Sequence, residues 1–95
     1  MKSSFELAMQ RLGGAARQYT AEQKEQLAEV DRLYDAKVAQ AKFDAEARRR
    51  QPGNDAEKLS RIAEDMASEI QKLQARRERK KEELRAAFEA AKPTP

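Results

Sequence analysis

Mostly apolar residues recur at steps of three and four residues in two long stretches of the chain, separated by a polar turn. The first stretch carries Leu12, Ala16, Tyr19, Gln23, Leu27, Val30, Tyr34, Val38, Ala41 and Ala45. The second carries Leu59, Ile62, Met66, Ile70, Leu73, Arg77, Lys81, Leu84 and Phe88. Such steps keep one side of an α-helix apolar. The pattern therefore predicts two long amphipathic helices.

The order of these steps repeats every eleven residues in both stretches. This repeat corresponds to about 3.67 residues per turn, which is typical of a nearly straight or slightly right-handed supercoil. Two helices with matching repeats and a short connection pack antiparallel. We therefore predict an all-α fold, an antiparallel two-helix coiled-coil hairpin with a hendecad-like repeat. A regular period over residues 20–91 also argues against disorder there.

Capping boxes mark where the helices begin. In this motif a Ser, Thr or Asn accepts a hydrogen bond from a backbone N–H, and a Glu or Gln three residues later returns one. Three pairs match the motif: Ser3 with Glu6, Thr20 with Gln23, and Asn54 with Glu57. They predict three helix starts, the first belonging to a short amphipathic helix at about 4–12.

Glycine and proline residues mark where the helices end. Gly13–Gly14, Pro52–Gly53 and Pro93 follow the three predicted helices. The Gly pair also fits a continuous helix, at about 1 kcal/mol per glycine relative to Ala, but we favour a break. The chain then divides into a short N-terminal amphipathic helix with a Gly-Gly linker at 1–19, a hairpin at 20–92 with helices at about 20–50 and 55–91 and a turn at 51–54, and a tail at 93–95.

The turn fixes which residues face each other, because paired residue numbers should add up to about 105 in an antiparallel hairpin. The expected neighbours are Ala45 with Leu59 and Ile62, Tyr34 with Ile70 and Leu73, Tyr19 with Leu84 and Phe88, Leu27 with Arg77, and Gln23 with Lys81. The last two pairs make one stretch of the seam polar. Either the basic stems cover apolar surface while their heads reach water, or an acidic group of a partner enters there.

Composition removes several classes of chemistry. The 95 residues contain neither Cys nor His, which excludes disulfides and thiolate metal sites and removes the commonest general base. A thin hairpin has no enclosed pocket in which a Lys or Glu could be activated. We therefore predict a non-enzymatic protein with no catalytic, metal or cofactor-binding residue. No stretch is apolar enough for a signal peptide or a membrane span, so we expect a cytoplasmic protein without a membrane partner.

The short N-terminal helix carries an apolar face of its own. Phe5, Met9 and Leu12 stand at helical spacing and lie beyond the reach of the second long helix in the predicted register. Two readings stay open. The face folds back or docks onto a sister chain, or it binds a groove on a partner protein.

Two further apolar residues, Leu33 and Phe43, lie outside the predicted seam. A lone two-helix hairpin buries little surface and is marginally stable. Association into a four-helix arrangement would cover both residues, so we expect a homodimer.

Basic residues form two groups, although the net charge is only +3. Arg48, Arg49 and Arg50 lie next to the turn, and Lys72, Arg76 and Arg79 share an outer face of the second helix. The simpler interpretation is a solvated face whose bases near the turn compensate the helix dipole. The alternative is that these six residues bind phosphates.

These observations favour a non-enzymatic interaction or scaffold module, a self-associating coiled-coil hairpin that presents its N-terminal apolar face to a protein partner. An electrostatic nucleic-acid or ribosome-associated protein is the second hypothesis, with nucleic acid the less favoured partner.

Overall fold

The computed structural model describes residues 19–91, which form two helices and the turn between them. Helix α1 spans Ala21–Arg49 and helix α2 spans Ala56–Ala90. The two helices pack against each other along their length, which confirms the predicted all-helical hairpin. The short helix at 4–12, its Ser3–Glu6 box, the Gly-Gly linker and the tail at 93–95 lie outside the described residues.

Helix α1 begins as the sequence predicts. The Thr20 hydroxyl accepts a hydrogen bond from the Gln23 backbone N–H at 3.1 Å, and the Gln23 side chain accepts one from the Thr20 N–H at 3.0 Å. Both halves of the capping box are therefore present, and two N–H groups that the helix leaves without a partner are satisfied.

The start of α2 corrects the prediction by one residue. The N-cap is Asp55, whose Oδ1 accepts a hydrogen bond from the Lys58 N–H at 2.8 Å, and not Asn54. Asn54 instead donates from Nδ2 to the carbonyl oxygens of Arg48, Arg49 and Gln51 at 2.8, 3.1 and 3.0 Å. The carboxylate of Asp55 interacts favourably with the positive end of the dipole at the start of a helix. Of the two side chains, only the amide of Asn54 can donate hydrogen bonds to the carbonyl groups at the end of α1.

The connection is therefore longer than the predicted turn at 51–54, because α1 ends at Arg49 and α2 begins at Ala56. Gly53 adopts φ +88°, a backbone conformation that costs other residues about 1 kcal/mol or more. No atom would contact a Cβ at this position, so the backbone angle alone favours glycine here.

The two helices bury few residues between them. Among residues 19–91 the buried apolar residues are Val30, Ala45, Leu73 and Phe88. The other described members of the two predicted stripes are half-buried, except Leu59, which is 37% exposed. At the open end the rings of Tyr19 and Phe88 meet edge to face, with centroids 5.8 Å apart, which confirms that predicted contact and the antiparallel arrangement.

Candidate interaction surfaces

An ion cluster bridges the two helices on one flank of the hairpin. Arg77 lies 3.9 Å from Asp31 and 3.5 Å from Asp35, and Lys81 donates to Asp31 Oδ2 at 3.2 Å. The Arg77 and Lys81 side chains are only 26% and 17% exposed. Asp31 and Asp35 of α1 thus supply the acidic groups that one of the two predictions for this polar stretch expected from a partner.

Within this cluster the Nε atom of Arg77 makes ion pairs but no hydrogen bond. Its Nε is buried without a hydrogen-bond partner and lies 3.9 Å from Asp31 Oδ1 and 3.8 Å from Glu78 Oε1. A half-buried guanidinium with one buried nitrogen that lacks a hydrogen-bond partner is tolerated only while carboxylates stay close. The cluster therefore penalises any sliding of α2 along α1.

A second charged group lies on the outer surface of α1. Arg32 donates to Glu29 from Nε at 3.0 Å, and its Nη2 also contacts Glu25. The hydrogen bonds to Glu29 and Glu25 raise the pKa of the Arg32 guanidinium. This group is open to solvent and joins residues of one helix only, so it stabilises α1 locally and forms no site.

The predicted phosphate-binding residues fall into two classes. Arg49 and Arg50 both pair with Glu46, at 3.6 and 3.5 Å. Arg48, Lys72, Arg76 and Arg79 form no ion pair with any residue of the described part. Charge on these four side chains therefore remains available to an external group.

A groove of about 480 Å³ opens between the helices in the half of the hairpin next to the turn. Its apolar floor consists of Ala41, Ala45, Ile62, Met66 and Leu73. Its rims are polar and charged, with Lys37, Gln40, Asp44 and Arg48 on α1 and Asp65, Glu69 and Arg76 on α2. The apolar stripes alone do not predict this groove, and two alanines opposite larger residues are the available signal in the sequence.

The two apolar residues predicted for self-association are exposed, Leu33 at 53% and Phe43 at 69%. At about 100° per residue they lie roughly 80° apart around α1. Leu33 lies on the flank that also carries Lys37 and Asp44, which are rim residues of the groove. Leu33 therefore continues the groove towards the open end, whereas Phe43 belongs to the outer face.

Taken together, the fold defines an all-helical hairpin whose inter-helix surface is divided between an ion cluster and a groove with charged rims and a narrow apolar floor. No protein-family model, no curated protein and no solved structure matches this chain. Residues 19–91 contain no group of acidic residues arranged to hold a metal ion. Neither α1 nor α2 is long and apolar enough to cross a membrane.

Proposed function

We propose that this chain is a non-enzymatic protein-interaction module, a self-associating coiled-coil hairpin that keeps the eleven-residue repeat of its sequence. One observation carries the proposal: the hairpin leaves large apolar side chains that its two helices do not cover. Phe43 and Leu33 are 69% and 53% exposed. Burial of these side chains between two copies would favour association.

The free energy of burying apolar side chains also favours self-association. Full burial of one large apolar side chain is worth about 1.5–3 kcal/mol, and folded domains are stable by only about 5–15 kcal/mol in total. Within the described part no large side chain is fully buried. Association that covers Phe43 and its surroundings would therefore add a substantial fraction of the stability of the folded chain.

Sedimentation velocity from low to high micromolar protein tests self-association. We expect the wild-type chain to sediment as a dimer at the upper end. Phe43→Ser should shift the population to monomer, because it removes the most exposed large apolar side chain. Lys42→Ser is the matched control, since it truncates the neighbouring exposed residue and should leave the dimer unchanged. A wild-type monomer over the whole range would refute this part of the proposal.

The cell compartment belongs to the same proposal. A cytoplasmic module is supported by the absence of cysteine from the whole sequence, since no disulfide is available to stabilise so thin a fold outside the cell. Expression as a fluorescent fusion and microscopy of its distribution would check this.

Phosphate binding is the alternative function, and one observation favours it. Lys72, Arg76 and Arg79 lie on one side of α2 without ion pairs in the described part. Arg48, also without an ion pair there, lines the same groove as Arg76 but nearer the turn. If all four contact duplex DNA, log K should fall with log salt at a slope of about −3.6, which is roughly −0.9 per phosphate contact.

A triple variant, Lys72→Ala with Arg76→Ala and Arg79→Ala, would separate the two functions. Phosphate binding predicts that the variant loses both affinity and most of the salt slope. Arg61→Ala is the control, because Arg61 already pairs with Glu57 at 3.9 Å. If the affinity for a binding partner changes neither with salt concentration nor in the triple variant, phosphate binding is excluded and the protein-interaction function remains.

A further inference from the structure

The outer face of α1 carries one large apolar side chain among small ones. Phe43 is 69% exposed and lies about 160° around the helix from the buried Ala45. Ala36, Ala39 and Ala47 lie within about 40° of Phe43 and are exposed as well. We propose that this face binds the same face of a second copy, with the two α1 helices antiparallel and Phe43 of each packed on Ala36 and Ala39 of the other. The inference rests on the proposed function, because it names the surface and the orientation of the proposed dimer.

The distribution of exposed apolar side chains favours α1 of the second copy over its α2 as the binding surface. In the described part the exposed large apolar residues are Leu33, Phe43 and Leu59. Leu59 lies on the seam side of α2, about 40° from the buried Leu73. The outer face of α2 therefore offers no exposed large apolar side chain within residues 56–90, and Phe43 finds its counterpart on another α1.

The small side chains of this face allow two helices to approach closely. Helix axes that pack over alanine lie about 8 Å apart, at the lower end of the usual range. At this distance the Phe43 ring of one copy contacts the methyl groups of Ala36 and Ala39 on the other. Two-fold symmetry repeats the contact, so both rings leave water together.

The charges at the two ends of this face select the antiparallel orientation. Towards the open end Arg32 pairs with Glu25 and Glu29, so this group is negative overall. Towards the turn Glu46 pairs with two arginines, so that group is positive overall. Parallel helices would place groups of like charge together, whereas antiparallel helices place each negative group against a positive one.

The register also brings individual charges into complementary positions. Arg50 of one copy lies opposite Glu29 of the other, since each lies seven residues beyond the Phe43 contact. Glu46 then lies beside Arg32 of the other copy. Within a single hairpin these ion pairs act on α1 alone, but between two copies each pair gains a partner of opposite sign. Glu29 and Arg50 are 66% and 79% exposed in the single chain, so they reorient at little cost.

Because the chain contains no cysteine, single engineered cysteines report on this orientation without background. Position 39 lies next to the two-fold axis, so Ala39→Cys approaches the same residue of the second copy to the Cα separation of about 4.4–6.8 Å that a disulfide requires. Ala47→Cys is the matched control, since it replaces another exposed alanine of the same face. In an antiparallel dimer two copies of position 47 lie about 22 Å apart along the helices, whereas in a parallel dimer they would meet.

The full-length variants are oxidised mildly, and the disulfide between two chains is followed by non-reducing electrophoresis. We expect it to form at least about tenfold faster in Ala39→Cys than in Ala47→Cys, because only the first pair has the required separation. Ala75→Cys, at an exposed position on the outer face of α2, measures random collisions. Adding Phe43→Ser to Ala39→Cys should reduce its rate to that level. Circular dichroism verifies that all variants keep the same helix content.

Three results would overturn the inference: equal rates for Ala39→Cys and Ala47→Cys, an Ala39→Cys rate no higher than that of Ala75→Cys, or a rate that Phe43→Ser does not change. Sedimentation of the same proteins in reduced form separates the inference from the proposed function. A dimer with any of these three results refutes the inference and leaves self-association standing. A monomer at every concentration refutes self-association, and the inference with it.

Discussion

At the scale of single residues, Asn54 and Asp55 divide the chemistry of the turn between them. Asp55 accepts a hydrogen bond from the first turn of α2, and Asn54 donates to three carbonyls at the end of α1 and in the turn. An aspartate could not replace Asn54, because the ionised carboxylate only accepts hydrogen bonds and the Asn54 contacts require a donor. The turn therefore depends on an amide at position 54.

Asn54→Ala should lower the free energy of unfolding by about 1–2 kcal/mol, because three carbonyl oxygens lose the Asn54 amide and only that of Arg48 is known to keep a donor, the Gln51 N–H at 3.2 Å. Urea unfolding followed by circular dichroism measures it. Asn54→Asp should cost at least as much, since it keeps the shape but removes the donor and adds a negative charge at the end of α1. Gln51→Ala in the same turn is the control. An Asn54→Ala cost no larger than that of the control would mean that the three hydrogen bonds contribute nothing to stability.

At the scale of the two helices, the ion cluster fixes register where the seam contains few large apolar residues. Asp31 serves both Arg77 and Lys81, on the stretch that the sequence analysis identified as polar. Apolar contacts are not directional, so an Ala-rich seam allows sliding at low cost. Half-buried charges do not, because a shift by one turn would separate them from their carboxylates.

A double-mutant cycle with Asp31→Asn and Lys81→Met should give a coupling energy of about 0.5–1 kcal/mol. The matched cycle with Glu57→Gln and Arg61→Met should give a value near zero, because those side chains are 84% and 74% exposed whereas Lys81 is 17% exposed. Both cycles use free energies of unfolding from urea titrations at one salt concentration. Equal couplings in the two cycles would show that the cluster is an ordinary surface pair.

At the scale of the whole molecule, two helices can cover each other on one side only. Leu33, Phe43 and Leu59 stay exposed in a single hairpin, and the groove between the rims stays open. A second copy is proposed to cover the outer face around Phe43.

If association stabilises the fold, the melting temperature should rise with protein concentration, by roughly 3–5 °C for each tenfold increase. Thermal unfolding followed by circular dichroism at several concentrations measures this rise. Phe43→Ser should abolish the dependence and Lys42→Ser should preserve it. A wild-type melting temperature that is independent of concentration would contradict the coupling between folding and association.

Much of the fold could be predicted from the sequence, because the patterns that indicate it involve residues close together in the chain. The Thr20 box needs only residues three apart, and the contact of Tyr19 with Phe88 follows from the period and the turn together. Asn54 was assigned to the wrong helix because Asn and Asp are both good N-caps and only the neighbouring carbonyls distinguish them. Asp31 and Asp35 were missed because they flank the apolar stripe and find their partners about 50 and 42 residues away.

The sequence by itself determined the two helices, the turn between them and the faces that meet, because periodicity and capping act within a few residues. Only the tertiary structure decided how the polar stretch is satisfied and where the groove opens. Both depend on the depth to which side chains from two distant segments interdigitate, and that depth is set by their combined shapes. The acids of α1 therefore complete a cluster that α2 begins, and the alanines of α1 open a space that residues of α2 line.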